Sequence, residues 1–265
     1  MRRLALLAVA VLLSACGPQA PGDDPRGRKE VIVSAEVPAG SAAESNWKRF
    51  AHNVGVWAPE YALSMRLGAE AGTPAQRAAD VQAGAIQIAA LPPDVSAAIA
   101  PELQVLSAHG LFGSEAEADF VLDRIVLEPY RRLFSEKGLR LIGWIDDDWA
   151  DPATRETWAA GVIVANTAWF ERLTPHDRDV FTQAYASAGQ ARVDSRAARR
   201  GAGEAAPAGA PHQSPSGGTG QTIGPLPDAH AAIVGRAGGR SREIYDLVLK
   251  GKQDFAARSG TAQGN

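Results

Sequence analysis

Side chains able to do chemistry are scattered along this sequence, and their spacings fit no catalytic centre. Five histidines, His52, His109, His176, His212 and His230, have no partner four residues away, so no HExxH zinc helix is present. Asp146-Asp147-Asp148 gathers three carboxylates, but without the spacing or the closing glutamate of a calcium loop, so it reads as a solvated acidic loop. Gly201-Ala202-Gly203-Glu204-Ala205-Ala206 loosely fits a dinucleotide-binding pattern, yet it follows no strand and lies in a low-complexity tract. No GxSxG elbow or Walker loop occurs. No catalytic residue, metal site or cofactor is therefore expected, and the chain reads as a binder rather than an enzyme. A binder needs flat apolar walls with a few orienting polar groups. Trp144 and Trp149, at the end of a predicted strand, suit that role because α/β sites open at the carboxyl ends of strands.

Cys16, the only cysteine, is the other reactive group. Arg2 and Arg3 precede the unbroken apolar run Leu4–Leu13, too short for a membrane-spanning helix of about 20 residues. The run ends in Leu13-Ser14-Ala15-Cys16, which resembles the bacterial lipobox. That resemblance implies a signal peptide over 1–15, acylation of Cys16 and attachment of the mature chain to a membrane. Residues 16–29, rich in Pro, Gly and charge, read as a tether.

Composition excludes several classes. The chain has 265 residues, 27 Lys and Arg against 30 Asp and Glu, and a formal net charge of −3, so no cationic field favours nucleic acid. One cysteine forbids an intrachain disulfide.

Strand and helix patterns alternate over the first half. Val31-Ile32-Val33 reads as a strand, and Glu44–Val54 as a helix with Trp47, Phe50 and Val54 on one face. Tyr61–Leu67 alternates like a half-buried strand. Thr73-Pro74 opens a helix that Gly84 ends, and Ala85–Leu91 is a buried strand. Ser114 with Glu117 has the form of a capping box for a helix to Glu136, followed by strands over Leu139–Ile145 and Gly161–Ala165. Thr174-Pro175 opens a helix through Tyr185. The order implies an α/β layer with parallel pairings.

From Val31 to Trp149 the succession of segments resembles the periplasmic substrate-binding component of TRAP transporters, the C4-dicarboxylate-binding (DctP) family. The words that carry it are Ser34-Ala35-Glu36-Val37-Pro38-Ala39-Gly40-Ser41, Trp47-Lys48-Arg49-Phe50, Val81-Gln82-Ala83-Gly84-Ala85-Ile86-Gln87-Ile88-Ala89 and Gly110-Leu111-Phe112-Gly113-Ser114-Glu115-Ala116-Glu117. Gly138–Trp144 and Val162–Thr174 add two more. The resemblance implies a type II periplasmic-binding-protein fold that takes a small organic-acid or zwitterionic solute, partners the TRAP membrane subunits and works in the periplasm. Glu36 is then the first candidate ligand contact, with Leu91 and Trp144 as apolar walls. Only Ala150–Glu156 stands where the family carries most of its second lobe and its ligand-gripping arginine, so that lobe is expected to be truncated. The expected organisation is a first lobe over 30–149, a second-lobe remnant over 150–190, a disordered low-complexity stretch over 191–241 and a C-terminal helix over 242–258. The alternative is a degenerate member serving as an envelope lipoprotein with a structural or interaction role.

Overall fold

The computed structural model describes residues 27–149, 156–201 and 227–262, with side chains over 27–145, 156–188 and 227–259. The expected signal peptide, Cys16 and most of the expected tether lie outside the described residues. Alternating β-branched and small residues build one mixed sheet from β1 (Lys29–Ala35), β2 (Tyr61–Leu67), β3 (Ile88–Leu91), β4 (Leu139–Trp149) and β5 (Trp158–Asn166). Its order is β2-β1-β3-β5-β4. β1 runs parallel to β2 and β3, as the alternation of elements requires, whereas β5 is antiparallel to both β3 and β4. Asp146-Asp147-Asp148 belongs to β4 instead of a loop, across an irregularity between Ile145 and Asp148.

Period-two alternation splits the strands between two cores. Val31, Val33, Ala35, Ile88, Ala90, Ile163 and Ala165 face α1 (Ala42–Trp57), α6 (Thr167–Arg172) and α7 (Pro175–Gly201). There Trp47, Phe50 and Phe181 meet the sheet. Ile32, Ala89, Leu91, Val162 and Val164 face the other way. They pack with α2 (Pro74–Ala83), α3 (Pro93–Ile99), α4 (Glu115–Val121), α5 (Leu127–Glu136) and α9 (Ser241–Ala262).

Local rules explain the helix ends. Thr73 accepts a hydrogen bond from the Gln76 amide at 3.2 Å, and Gly84 closes α2 in the left-handed conformation. Ser114 accepts from the Glu117 amide, while the Glu117 carboxylate reaches back to the Gly113 amide, one residue earlier than in the usual box. The helix read over Ser114–Glu136 is not uniform, because residues Leu122–Val126 form a π turn between α4 and α5. Pro129 explains it: a proline lacks the N–H and crowds the carbonyl four residues earlier, and a wide turn relieves both.

The late region carries more regular secondary structure than the sequence reading expected. The stretch 150–190, expected as a second-lobe remnant, contributes β5 to the same sheet and α6 to the same core. Of the expected disordered stretch 191–241, α7 occupies the start through Gly201, and α8 (Asp228–Ala237) occupies much of the end. Ala-rich sequence favours helix, and α8 is further fixed by contacts from a histidine. His230 Nε2 donates to the His109 carbonyl at 2.7 Å, which requires the proton there, so Nδ1 accepts from the Tyr245 hydroxyl at 2.7 Å. Burial raises the Tyr245 hydroxyl above its ordinary pKa, keeping that donor proton in place.

One polar corner ties the sheet to α7. The Tyr61 hydroxyl donates to Asp177 Oδ2 at 2.9 Å, and both residues are buried. Desolvation pushes the Asp177 carboxyl up, but hydrogen bonds from Tyr61 and Thr174 outweigh it, and its pKa lies below the usual value. A depressed carboxylate stabilises the fold above its unfolded pKa of about 4 and loses that contribution as pH falls through the folded value. Tyr61→Phe is therefore expected to cost about 1.5–3 kcal/mol at neutral pH, with the difference from the parent shrinking below about pH 4 in urea titrations.

Candidate ligand-binding site

The register brings the three sequence-chosen residues to one edge. β1 pairs Ser34 with Ala89, and Glu36 follows Ser34 by as many residues as Leu91 follows Ala89. Leu91 pairs with Val162, and Val162 pairs with Trp144 on its other side. Glu36, Leu91, Val162 and Trp144 thus form a row where parallel β1 and β3 end.

Their exposure separates them. Leu91 is fully buried and Trp144 is 4% exposed, so neither is an open wall: both are core. Trp144 stands edge-on to Tyr130, with ring centroids 5.5 Å apart, and Tyr130 donates to the Glu102 carbonyl. The Leu91 carbonyl accepts from Ser96 Oγ at 2.9 Å, tying the strand end to α3. Both residues point into the helices below because alternation assigns them to that face, so they form the floor of the edge. Gly161 lets β5 enter between them. A Cβ there would lie 2.6 Å from the Leu91 carbonyl oxygen and 3.0 Å from that of Ile145.

Glu36 is different. Its side chain is 61% exposed, yet Oε2 accepts from Arg77 Nη2 at 3.0 Å. Arg77 is 1% exposed and spends its other donors on backbone: Nε on the Ala90 carbonyl at 3.2 Å and Nη1 on the Gly72 carbonyl at 2.8 Å. A guanidinium fork suits three fixed acceptors in one plane better than an ammonium. One buried cation therefore joins the turn before α2, the end of β3 and the carboxylate beside the end of β1. Sequence reasoning missed Arg77. Its signal was a single charge on the apolar stripe of α2, four residues before the buried Val81. The resulting arrangement offers a fixed, solvent-facing carboxylate that can accept hydrogen bonds from hydroxyl or ammonium groups.

Two surface grooves lie elsewhere. One of about 680 Å³ runs between α2 and α3 past Ala78, Asp94 and Lys137, and one of about 750 Å³ follows α9 past Arg242, Asp246 and Lys250. None of Glu36, Leu91 and Trp144 lines either. Among the described residues no group of three or more His, Cys, Asp or Glu is placed to hold a metal ion.

With that geometry in hand, the fold is recognisable. Solved TRAP periplasmic solute-binding proteins share it. One from Ochrobactrum anthropi, with its C-terminus bound in the ligand-binding pocket, matches at a TM-score of 0.67 and 13% identity, over 86% of this chain and 96% of its own. The sugar acid binding protein of Advenella mimigardefordensis, in complex with galactonate, gives 0.62 and 14%, over 86% and 98%. The periplasmic ectoine-binding protein of a Halomonas elongata TRAP transporter gives 0.62 and 11%, over 85% and 100%. No protein-family model matches the sequence, and no curated protein matches it.

Arg77→Ala is expected to destabilise the chain by about 3–5 kcal/mol, since it leaves two backbone carbonyls without their donor and opens a cavity. Glu36→Gln, at an exposed carboxylate, is expected to cost no more than about 1 kcal/mol. Denaturant titration of both variants measures the difference.

Proposed function

We propose that the chain is a lipid-anchored extracytoplasmic solute-binding component of a TRAP-type secondary transporter, a non-catalytic module that captures a small organic acid or related solute and delivers it to the membrane subunits. The supporting observations are a shared architecture over nearly the full length of proteins solved with galactonate and with β-D-glucuronate bound, and a sheet edge in this chain that presents the fixed carboxylate of Glu36. In this reading Glu36 touches the ligand, while Leu91 and Trp144 support the site from beneath. Cys16 carries the acyl anchor, and the periplasm is the compartment.

A second reading has its own observation. β4 and β5 are joined through residues 150–157 alone, so little chain is available for an opposing lobe to cover Glu36. A degenerate member kept as an envelope lipoprotein, with a structural or interaction role, fits that economy.

Thermal denaturation with galactonate, glucuronate, pantoate and ectoine at millimolar concentration separates the two. Binding at a hundredfold excess over Kd adds about 2.7 kcal/mol, so the capture reading expects a raised Tm with at least one of them and loss of that shift in Glu36→Gln. No shift across the set favours the structural role. Mass spectrometry of the mature N-terminus is expected to find acylated Cys16, and an unmodified thiol there rejects the anchor.

A further inference from the structure

Among the described residues, two large apolar side chains are exposed, and they are adjacent: Val56 at 59% and Trp57 at 41%. Both belong to the last turn of α1. Ala58 ends that helix, its amide bonded to the Val54 carbonyl, and the chain turns at once into β2. The Glu60 carbonyl in this turn accepts from the Lys29 amide at 2.8 Å, and Lys29 pairs with Tyr61. The apolar pair therefore sits at the end of the sheet where the N-terminal segment enters the fold.

The segment outside the structure limits what that end can face. Between Cys16 and Lys29 the chain reaches at most about 45 Å, even fully extended. An anchor at Cys16 keeps the Val56–Trp57 end near the bilayer, and such confinement makes a weak contact effectively intramolecular. Glu36 lies at the opposite end of β1, about 20 Å away at the rise of a strand.

Charge around the patch is mixed. Arg28 and Lys29 stand against Glu30 and Glu60, and Lys29 Nζ is engaged 5.1 Å over the Tyr61 ring. Attraction to anionic headgroups is thus weak, whereas an amphipathic indole suits the interfacial layer of any phospholipid.

We propose that Val56 and Trp57 form a second membrane contact that seats the amino end of the sheet on the phospholipid surface holding Cys16, with the Glu36 edge turned outward. The proposal rests on the anchoring reading of Cys16 and adds an orientation to it.

The single cysteine makes the contact testable apart from natural acylation. The chain beginning at Cys16, with its thiol free, is coupled to phosphatidylcholine vesicles bearing a maleimide lipid, with and without brominated acyl chains that quench tryptophan. The parent is expected to lose emission on brominated vesicles, and Trp57→Phe to lose none. Equal quenching in the two proteins, or none in either, overturns the contact. So does quenching that appears only when phosphatidylglycerol is added, because the contact is apolar. A blue shift of Trp57 that grows with protein concentration without vesicles assigns the patch to a second copy of the chain, and also overturns it. The mass of Cys16 judges the anchor, and the quenching alone judges the contact.

Discussion

The architecture depends on the entry of β5 between β3 and β4. Without it β4 has no neighbour, and the edge at Leu91 loses its continuation to Trp144. The insertion requires a residue with no side chain where the three strands come closest, and Gly161 supplies it, since a Cβ would strike backbone oxygens on both sides. Backbone cannot swing aside as a side-chain tip can, so the constraint is strict. It also explains why the sheet is mixed: a strand returning directly from β4 through a short connection can only run antiparallel to it.

Around that edge the polar groups brace the strand ends. Arg77 is a buried cation whose three guanidinium nitrogens each donate to a different partner, Ala90, Gly72 and Glu36. The carboxylate is consequently held rather than free, and it faces solvent with the second oxygen. A group held in this way loses little further freedom on binding, which is the advantage of preorganisation. The same arrangement sets a chemical preference, because an exposed carboxylate attracts donors such as hydroxyl groups, while the Arg77 guanidinium beside it compensates its charge.

Much of this was legible from residue order. Tyr61–Leu67 alternates so regularly that its strand limits coincide with those observed, and Thr73, Pro74 and Gly84 mark both ends of α2. The position of Glu36 just past the first strand was legible too, since β1 grows from the run Val31-Ile32-Val33 and ends at Ala35. What escaped depends on partners distant in sequence. Nothing near Trp144 distinguishes a wall from a core residue; that is decided by Tyr130, reached through a separate helix. Arg77 looked like an ordinary charge until Glu36, 41 positions earlier, came beside it. Thr174-Pro175 marked the start of α7, but its continuation beyond Tyr185 and the whole of α8 were obscured by neighbouring Gly and Pro, and the fixing of α8 depends on His109, 121 positions from His230.

The place of α9 has a consequence for how the molecule is made. Ile244, Tyr245 and Val248 complete a core whose other members begin at Ile32, and Gly251 lets the helix lie so close that an added Cβ would be 2.8 Å from Ile125. A polypeptide emerging front end first cannot seal that core until α9 has followed the strands and helices it covers. Closure over such sequence distances is slow. Until α9 arrives, the apolar side chains of Val121 and Ile125 that Gly251 packs against lack their cover.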